Sequence, residues 1–299
     1  MISIYNFLLL LCSARCSGRQ TNYSTSLNIP STLSQSRYGG ADFVAQTIVF
    51  VLRVSDPVTN PLIIISSPTM SNLRTTSKIS FHPNSESPSA SHHLIFFITG
   101  NPGLVSYYTT FLSTLGNLLS SSSTRNSSDV FHIYSQSLAG FEDESILTPL
   151  SRMTPYSLEE QITMTLEALT AQHIPSGPLK NQHYATITLI GHSVGAYILL
   201  ELITRIRKSW SPLNIRGGIL LFPTVTHLAQ SPSGVKMTPI LNNIPDLPRK
   251  INLVAKCLVW ILPRSVLKWI VGKVASMPDD AAEVTTRFLR SPMGVWQAL

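Results

Sequence analysis

Residues 185–203 read ATITLIGHSVGAYILLELI, and this stretch decides the fold. Ala185-Thr186-Ile187-Thr188-Leu189-Ile190 is apolar and rich in β-branched residues, as a buried strand requires, and Ala196 to Ile203 carries the dense apolar run of a helix. Between them stands Gly191-His192-Ser193-Val194-Gly195. A strand that turns sharply into a helix through G-x-S-x-G is a nucleophile elbow: the strained turn lifts the serine hydroxyl above the sheet, and the flanking glycines make room. Ser193 is therefore the candidate nucleophile, with Gly191, His192 and Gly195 forming the turn. The backbone N–H of Val194, directly after the serine, is the first candidate oxyanion donor.

Working outward, the alternation continues on both sides. Leu94-Ile95-Phe96-Phe97-Ile98 and Val130-Phe131-His132-Ile133-Tyr134 read as strands, and Gly218-Ile219-Leu220-Leu221-Phe222 as another after the elbow. Tyr107 to Leu119 and Leu158 to Leu169 have helical spacing, and Ser120 to Ser128 is a low-complexity loop. Strands separated by helices imply an α/β class with a mostly parallel sheet and right-handed crossovers. Upstream, Val44 to Val54 and Leu62 to Ile65 are predicted as the first two strands, and Ser66 to Ser91, dominated by Ser, Pro and Asn, as a surface loop. Residues 1–40 read as a poorly ordered extension, and residues 41–299 as one hydrolase-type domain.

The serine needs an oxyanion site and a base. The second oxyanion donor in this architecture comes from the loop after an earlier strand, here Gly100-Asn101-Pro102-Gly103. Pro102 has no N–H, so the donor is expected from Asn101 or Gly103. A serine hydroxyl is a poor nucleophile at neutral pH without an adjacent base, and the acid and histidine should follow the serine in chain order. His192 is expected to be a packing residue, since the elbow exposes only its middle residue. His227 is the one histidine after Ser193, with no aspartate between them, and is a poor candidate for the base. Asp279, Asp280 and Glu283 read as a solvated acidic cluster at a helix start, where carboxylates suit the helix dipole.

Charged residues make up only 12% of the chain and the net charge is +7. Typical globular domains carry roughly 25% charged residues, so this composition suits a protein that meets an apolar phase. The basic residues form no patch interleaved with aromatics, which argues against nucleic acid and for an anionic membrane or droplet surface. Cys12, Cys16 and Cys257 make neither a disulfide framework nor a metal-ligand spacing, so no metal and no cofactor is expected. Phe7 to Cys12 is short and apolar like a signal-peptide core, which keeps a secreted lipase among the alternatives, but no Lys or Arg precedes it.

Ile251 to Val274 reads INLVAKCLVWILPRSVLKWIVGKV, two apolar arms hinged at Pro263 and punctuated by Lys and Arg. Each arm is shorter than the ~20 apolar residues that span a bilayer. Two amphipathic arms carrying Trp260 and Trp269 are expected to lie in an interface, with Ile251, Leu253, Leu258, Ile261, Leu267 and Ile270 against lipid. A buried helical cap over an active site would also look apolar. Residues 225–290 are accordingly predicted as a helical cap and lipid-interacting insertion.

Several ordered motifs together resemble one family, the lipid droplet-associated hydrolases. They are Phe97-Ile98-Thr99-Gly100-Asn101-Pro102-Gly103 followed by Tyr107-Tyr108 and Phe111-Leu112, Tyr134 to Phe141, Pro155 to Ile162, Gly191 to Gly195, and Leu221-Phe222-Pro223-Thr224 leading to Ser231-Pro232-Ser233-Gly234. The resemblance implies an α/β-hydrolase fold, a serine nucleophile at Ser193, and peripheral or monotopic attachment to neutral-lipid droplets after contact with the endoplasmic reticulum. It implies action on lipid esters such as sterol esters. The family's acid and histidine lie on later strands, so it also implies that C-terminal strands are missing here. On that reading the 299-residue chain hydrolyses esters little, exposes an unpaired sheet edge, and has as its alternative a non-catalytic droplet protein.

Overall fold

The computed structural model describes residues 49–53, 77–83, 89–123, 128–141, 154–209, 212–226, 230, 232–291 and 293–298. Its strands are β1 (Val49–Arg53), β2 (Lys78–Phe81), β3 (Ser91–Ile98), β4 (Asp129–Gln136), β5 (Thr186–His192) and β6 (Ile215–Leu221). They form one sheet in the order β1-β6-β5-β3-β4-β2. β4, β3, β5 and β6 are mutually parallel, and the two outer strands run antiparallel to their neighbours. The protein is thus α/β, with a mostly parallel centre.

The continuous apolar character of β3 reflects burial on both faces, as expected of a central parallel strand. Leu94, Phe96 and Ile98 point to one side, where they pack with Leu189, Ile198, Leu199, Leu202, Ile162 and Leu169. Leu189 belongs to β5, and the other five come from α2 (Leu158–Thr170) and α3 (Val194–Lys208). Ile95 and Phe97 point to the other side, against Ile133, Ile190 and Leu112 of α1 (Thr109–Ser123). A short 3-10 turn, Val105–Tyr108, leads into α1, so the predicted helix starts slightly later than Tyr107 and runs into the serine-rich segment as far as Ser123. α2 begins with a capping box in which Ser157 and Glu160 exchange side-chain and backbone bonds.

Two sequence-based expectations are corrected at the sheet edges. β2 lies inside the stretch predicted to be loop, pairing Ile79 with Ser135 and Phe81 with Ile133. The edge beyond β6 is not unpaired: β1 runs antiparallel to it from Val49↔Leu221 to Arg53↔Gly217. The N–H and C=O groups on the outer side of β6, which an open edge would leave without partners, are taken up by this upstream strand. The predicted strand Leu62–Ile65 and the extension 1–40 lie outside the described residues.

Among the described residues, five helices follow β6: α4 (Pro232–Asn243), α5 (Leu247–Ile261), α6 (Arg264–Ala275), α7 (Asp279–Arg290) and α8 (Gly294–Ala298). Pro263 separates α5 from α6, as its lack of an N–H and its fixed φ favour at a helix start. Leu267 and Val271 of α6 bury against Ala282 of α7. Phe288 of α7 is fully buried and stacks on Phe141 with ring centres 6.0 Å apart, which joins this helical layer to the main core. Among the described residues no helix is long and apolar enough to cross a membrane.

Candidate active site

β5 ends at His192 and α3 starts at Val194, so Ser193 occupies the turn alone. Its backbone has φ 54° and ψ −120°. Few non-glycine residues adopt a positive φ, and such strain persists only where the surroundings impose it. Here they do. The Ser193 N–H donates to the Leu221 carbonyl at 3.0 Å, and the Thr224 N–H donates to the Ser193 carbonyl at 3.4 Å. A Cβ on Gly191 would overlap the Gly195 carbonyl, and one on Gly195 would overlap the carbonyls of Ile98 and Thr99. Both glycines are therefore required by close backbone approach, as their spacing in the sequence predicts. As the first helical residue, Val194 has an N–H without an intrahelical acceptor, at the positive end of the α3 dipole.

The loop after β3 reaches this turn. A Cβ on Gly100 would stand 3.1 Å from Ser193 Cβ and would collide with the His192 ring. The Gly100 N–H donates to Tyr108 Oη at 3.1 Å, and Asn101–Pro102 is a cis peptide. Asn101 is buried, with Nδ2 donating to the Ala298 carbonyl at 3.1 Å. A Cβ on Gly103, the other expected donor, would collide with Leu138 and Phe141, and the Gly103 carbonyl accepts the Leu138 N–H at 2.8 Å.

His192 is the packing residue expected of it. Its Nδ1 is hydrogen-bonded to Tyr108 Oη at 2.8 Å, its ring meets Phe222 edge-on, and burial pushes its pKa down. Among the described residues, the group within hydrogen-bonding distance of Ser193 Oγ is Thr224 Oγ1, at 3.5 Å. His227 lies outside the described residues. Sequence reasoning did not single out Thr224, Tyr108 or Phe222 for the site, although each falls within a motif quoted above. Phe222, at φ 47° and 44% exposed, directly follows β6 and is strained for so bulky a side chain.

The loop and the last helices are linked. Tyr107 Oη is 2.7 Å from Thr285 Oγ1 of α7, and Gln297 of α8 accepts the Tyr156 N–H at 2.6 Å while donating to the Tyr156 carbonyl at 2.9 Å. On the outer side of this layer, Leu253, Leu258, Trp260, Ile261 and Trp269 are exposed, Trp260 to 87%. Ile251 and Ile270 are half-buried. Leu267, expected with them, is buried against α7, because α6 turns this residue inward and Trp269 outward. The acidic cluster is not simply solvated either. Glu283 pairs with Arg264, Lys268 and Arg287, and Asp279 with Lys268, so these carboxylates tie α7 to α6. These neighbouring cations, Arg264 foremost, hold the Glu283 carboxyl below its usual pKa.

A family model described as "Lipid-droplet associated hydrolase" matches residues 91–299. The lipid droplet-associated hydrolase of Rattus norvegicus is 30% identical over 211 residues, covering 67% of this chain and 58% of that protein. That of Homo sapiens is 31% identical over 158 residues, 50% of this chain and 42% of its own length. That of Drosophila melanogaster is 30% identical over 155 residues, 49% and 43% respectively. The matched part of the chain spans about half the length of these relatives.

Proposed function

Since the chain belongs to the lipid-droplet associated hydrolase family, we propose that it is a serine hydrolase of lipid esters, sterol esters among them, acting at the surface of neutral-lipid droplets. The observation that carries this reading is the strained backbone of Ser193 between β5 and α3, with the Gly100 loop so near that a Cβ on Gly100 would stand 3.1 Å from Ser193 Cβ. Ser193 Oγ attacks the ester carbonyl carbon, and the carbonyl oxygen gains negative charge. The Val194 N–H and the Asn101 N–H receive that oxyanion. Asn101 is favoured over its neighbours because Pro102 has no N–H and the Gly100 N–H is committed to Tyr108. Collapse breaks the ester C–O bond, the alcohol leaves carrying the proton that Ser193 Oγ gave up, and water then hydrolyses the acyl ester to the acid and free Ser193.

Attachment falls to the exposed faces of α5 and α6. Trp260, Trp269, Leu253, Leu258 and Ile261 present apolar surface without a span long enough to cross a bilayer, and Lys250, Lys256 and Lys273 flank it. Such helices lie in an interface and favour anionic lipid. Residues 225–290 thus serve as a lipid-facing cap, and droplets are reached from the endoplasmic reticulum surface.

A second reading has its own observation. The hydroxyl of Thr224, which faces Ser193 Oγ, is not a base at neutral pH, so a droplet-bound protein that does not turn over ester fits that contact. Hydrolysis of a sterol ester in phospholipid-coated emulsions distinguishes the two. Fatty-acid release that disappears in Ser193→Ala supports the hydrolase; equal release by both proteins contradicts it.

A further inference from the structure

We propose that Tyr108 is a positioning residue whose hydroxyl bridges the Gly100 amide and the His192 imidazole, and so sets the separation between the oxyanion loop and Ser193. The inference rests on the reading of Ser193 as nucleophile given above. Tyr108 closes the 3-10 turn ahead of α1, with its ring 4.7 Å from that of Phe97 and edge-on to His192 at 5.6 Å. Packing on β3 and β5 therefore fixes Oη before any hydrogen bond is counted. Oη accepts the Gly100 N–H at 3.1 Å and lies 2.8 Å from His192 Nδ1. A phenol has one hydrogen and two lone pairs, so it satisfies both partners at once.

The bridge joins the two halves of the site. Gly100 belongs to the loop after β3 and His192 to the last residue of β5, immediately before Ser193. The halves meet without slack, since even a methyl group on Gly100 would strike the His192 ring. Removing Oη leaves the Gly100 N–H and the His192 Nδ1 without this part-buried partner, and the loop must shift to find others. A displacement of a few tenths of an ångström there moves the Asn101 N–H relative to the developing oxyanion, where alignment governs rate more than binding.

Tyr108→Phe keeps the ring and removes the bridge. Tyr107→Phe is the control, because it removes a neighbouring hydroxyl bonded to Thr285 rather than to the loop. In the full chain, fluorophosphonate labelling of Ser193 is followed against probe concentration. Tyr108→Phe is expected to lower the limiting rate about tenfold or more, with half-saturation changed less than about twofold and Tyr107→Phe near wild type. Wild-type rates in Tyr108→Phe, or equal slowing in both variants, overturn the proposal. If wild-type Ser193 takes no label, the catalytic reading fails and amide exchange decides the bridge: lost protection of Gly100 in Tyr108→Phe, with β3 and β5 unchanged, supports it, and unchanged protection overturns it.

Discussion

Thr224 holds Ser193 twice, its N–H donating to the Ser193 carbonyl at 3.4 Å and its hydroxyl standing 3.5 Å from Ser193 Oγ. The segment after β6 therefore fixes both the backbone and the side chain of the elbow, and the strained φ of 54° is imposed from outside the turn. Strain of this kind is worth roughly 1–3 kcal/mol, and glycine escapes it at a backbone-entropy cost of about 0.5–1 kcal/mol. Ser193→Gly is accordingly expected to be more stable than Ser193→Ala by about 1 kcal/mol. Urea unfolding of the two variants checks this, and equal midpoints at equal slope contradict it.

The glycines behave in the opposite sense. A side chain at Gly195 meets the carbonyls of Ile98 and Thr99, which are backbone atoms of the central strand and the loop after it. Gly195→Val is expected to destabilise the fold by roughly 3 kcal/mol or more, beyond the usual overpacking cost, because neither neighbour has a rotamer to yield. A soluble Gly195→Val protein with a wild-type melting temperature contradicts the close approach.

A chain of three imidazoles crosses the other end of the sheet. His82 Nδ1 is 3.1 Å from His132 Nδ1, and His132 Nε2 is 2.8 Å from His92 Nδ1. Burial, with smaller contributions from the neighbouring histidines, lowers His132 from 6.5 to about 4, and burial also lowers His82 and His92. Between these values the unfolded chain binds more protons than the folded one, so stability rises with pH through the window. The contribution is fully present above 6.5 and is lost as pH falls toward 4, on the order of 3 kcal/mol for His132. Unfolding midpoints measured from pH 8 to pH 4 should fall across this window, and His132→Gln should flatten the slope. An unchanged slope in that variant refutes the assignment.

The α5 and α6 faces make separable predictions. Trp260 is 87% and Trp269 64% exposed, so Trp260→Asp with Trp269→Asp is expected to leave the fold intact while reducing binding to phospholipid-coated droplets by roughly tenfold or more. Leu267→Asp, buried against Ala282, is expected to unfold the helical layer instead. Droplet flotation and circular dichroism measured together test both; double-Trp variants that float like wild type show that these helices are not the attachment site.

Most of the central sheet was legible because its signals are local. The uninterrupted apolar run of β3 and the strand-turn-helix around Ser193 need no distant partner to be recognised. β2 escaped because Lys78-Ile79-Ser80-Phe81 is a four-residue, half-exposed edge strand within a Ser- and Pro-rich segment, and its partner β4 is distant in sequence. β1 lies inside the Val44–Val54 stretch read as a strand, but its antiparallel pairing with β6 is encoded by no local pattern. In the site, the sequence leaves Asn101 and Gly103 equivalent. What the sequence does not carry is that the Gly100 N–H is bonded to Tyr108 Oη and that Gly103 lies against Leu138, both tertiary facts. On α6 the spacing marks an apolar helix but not which apolar side is inward, so Leu267 and Trp269 read alike.

The central claim, that Ser193 is a nucleophile served by the Val194 and Asn101 amides, is tested most directly by intact-mass and peptide analysis after treatment with a fluorophosphonate. One adduct is predicted, on the peptide containing Ser193, absent from Ser193→Ala and slowed when Tyr108 loses its hydroxyl. A folded protein with no adduct on Ser193 after prolonged exposure, or labelling that persists in Ser193→Ala, contradicts the account.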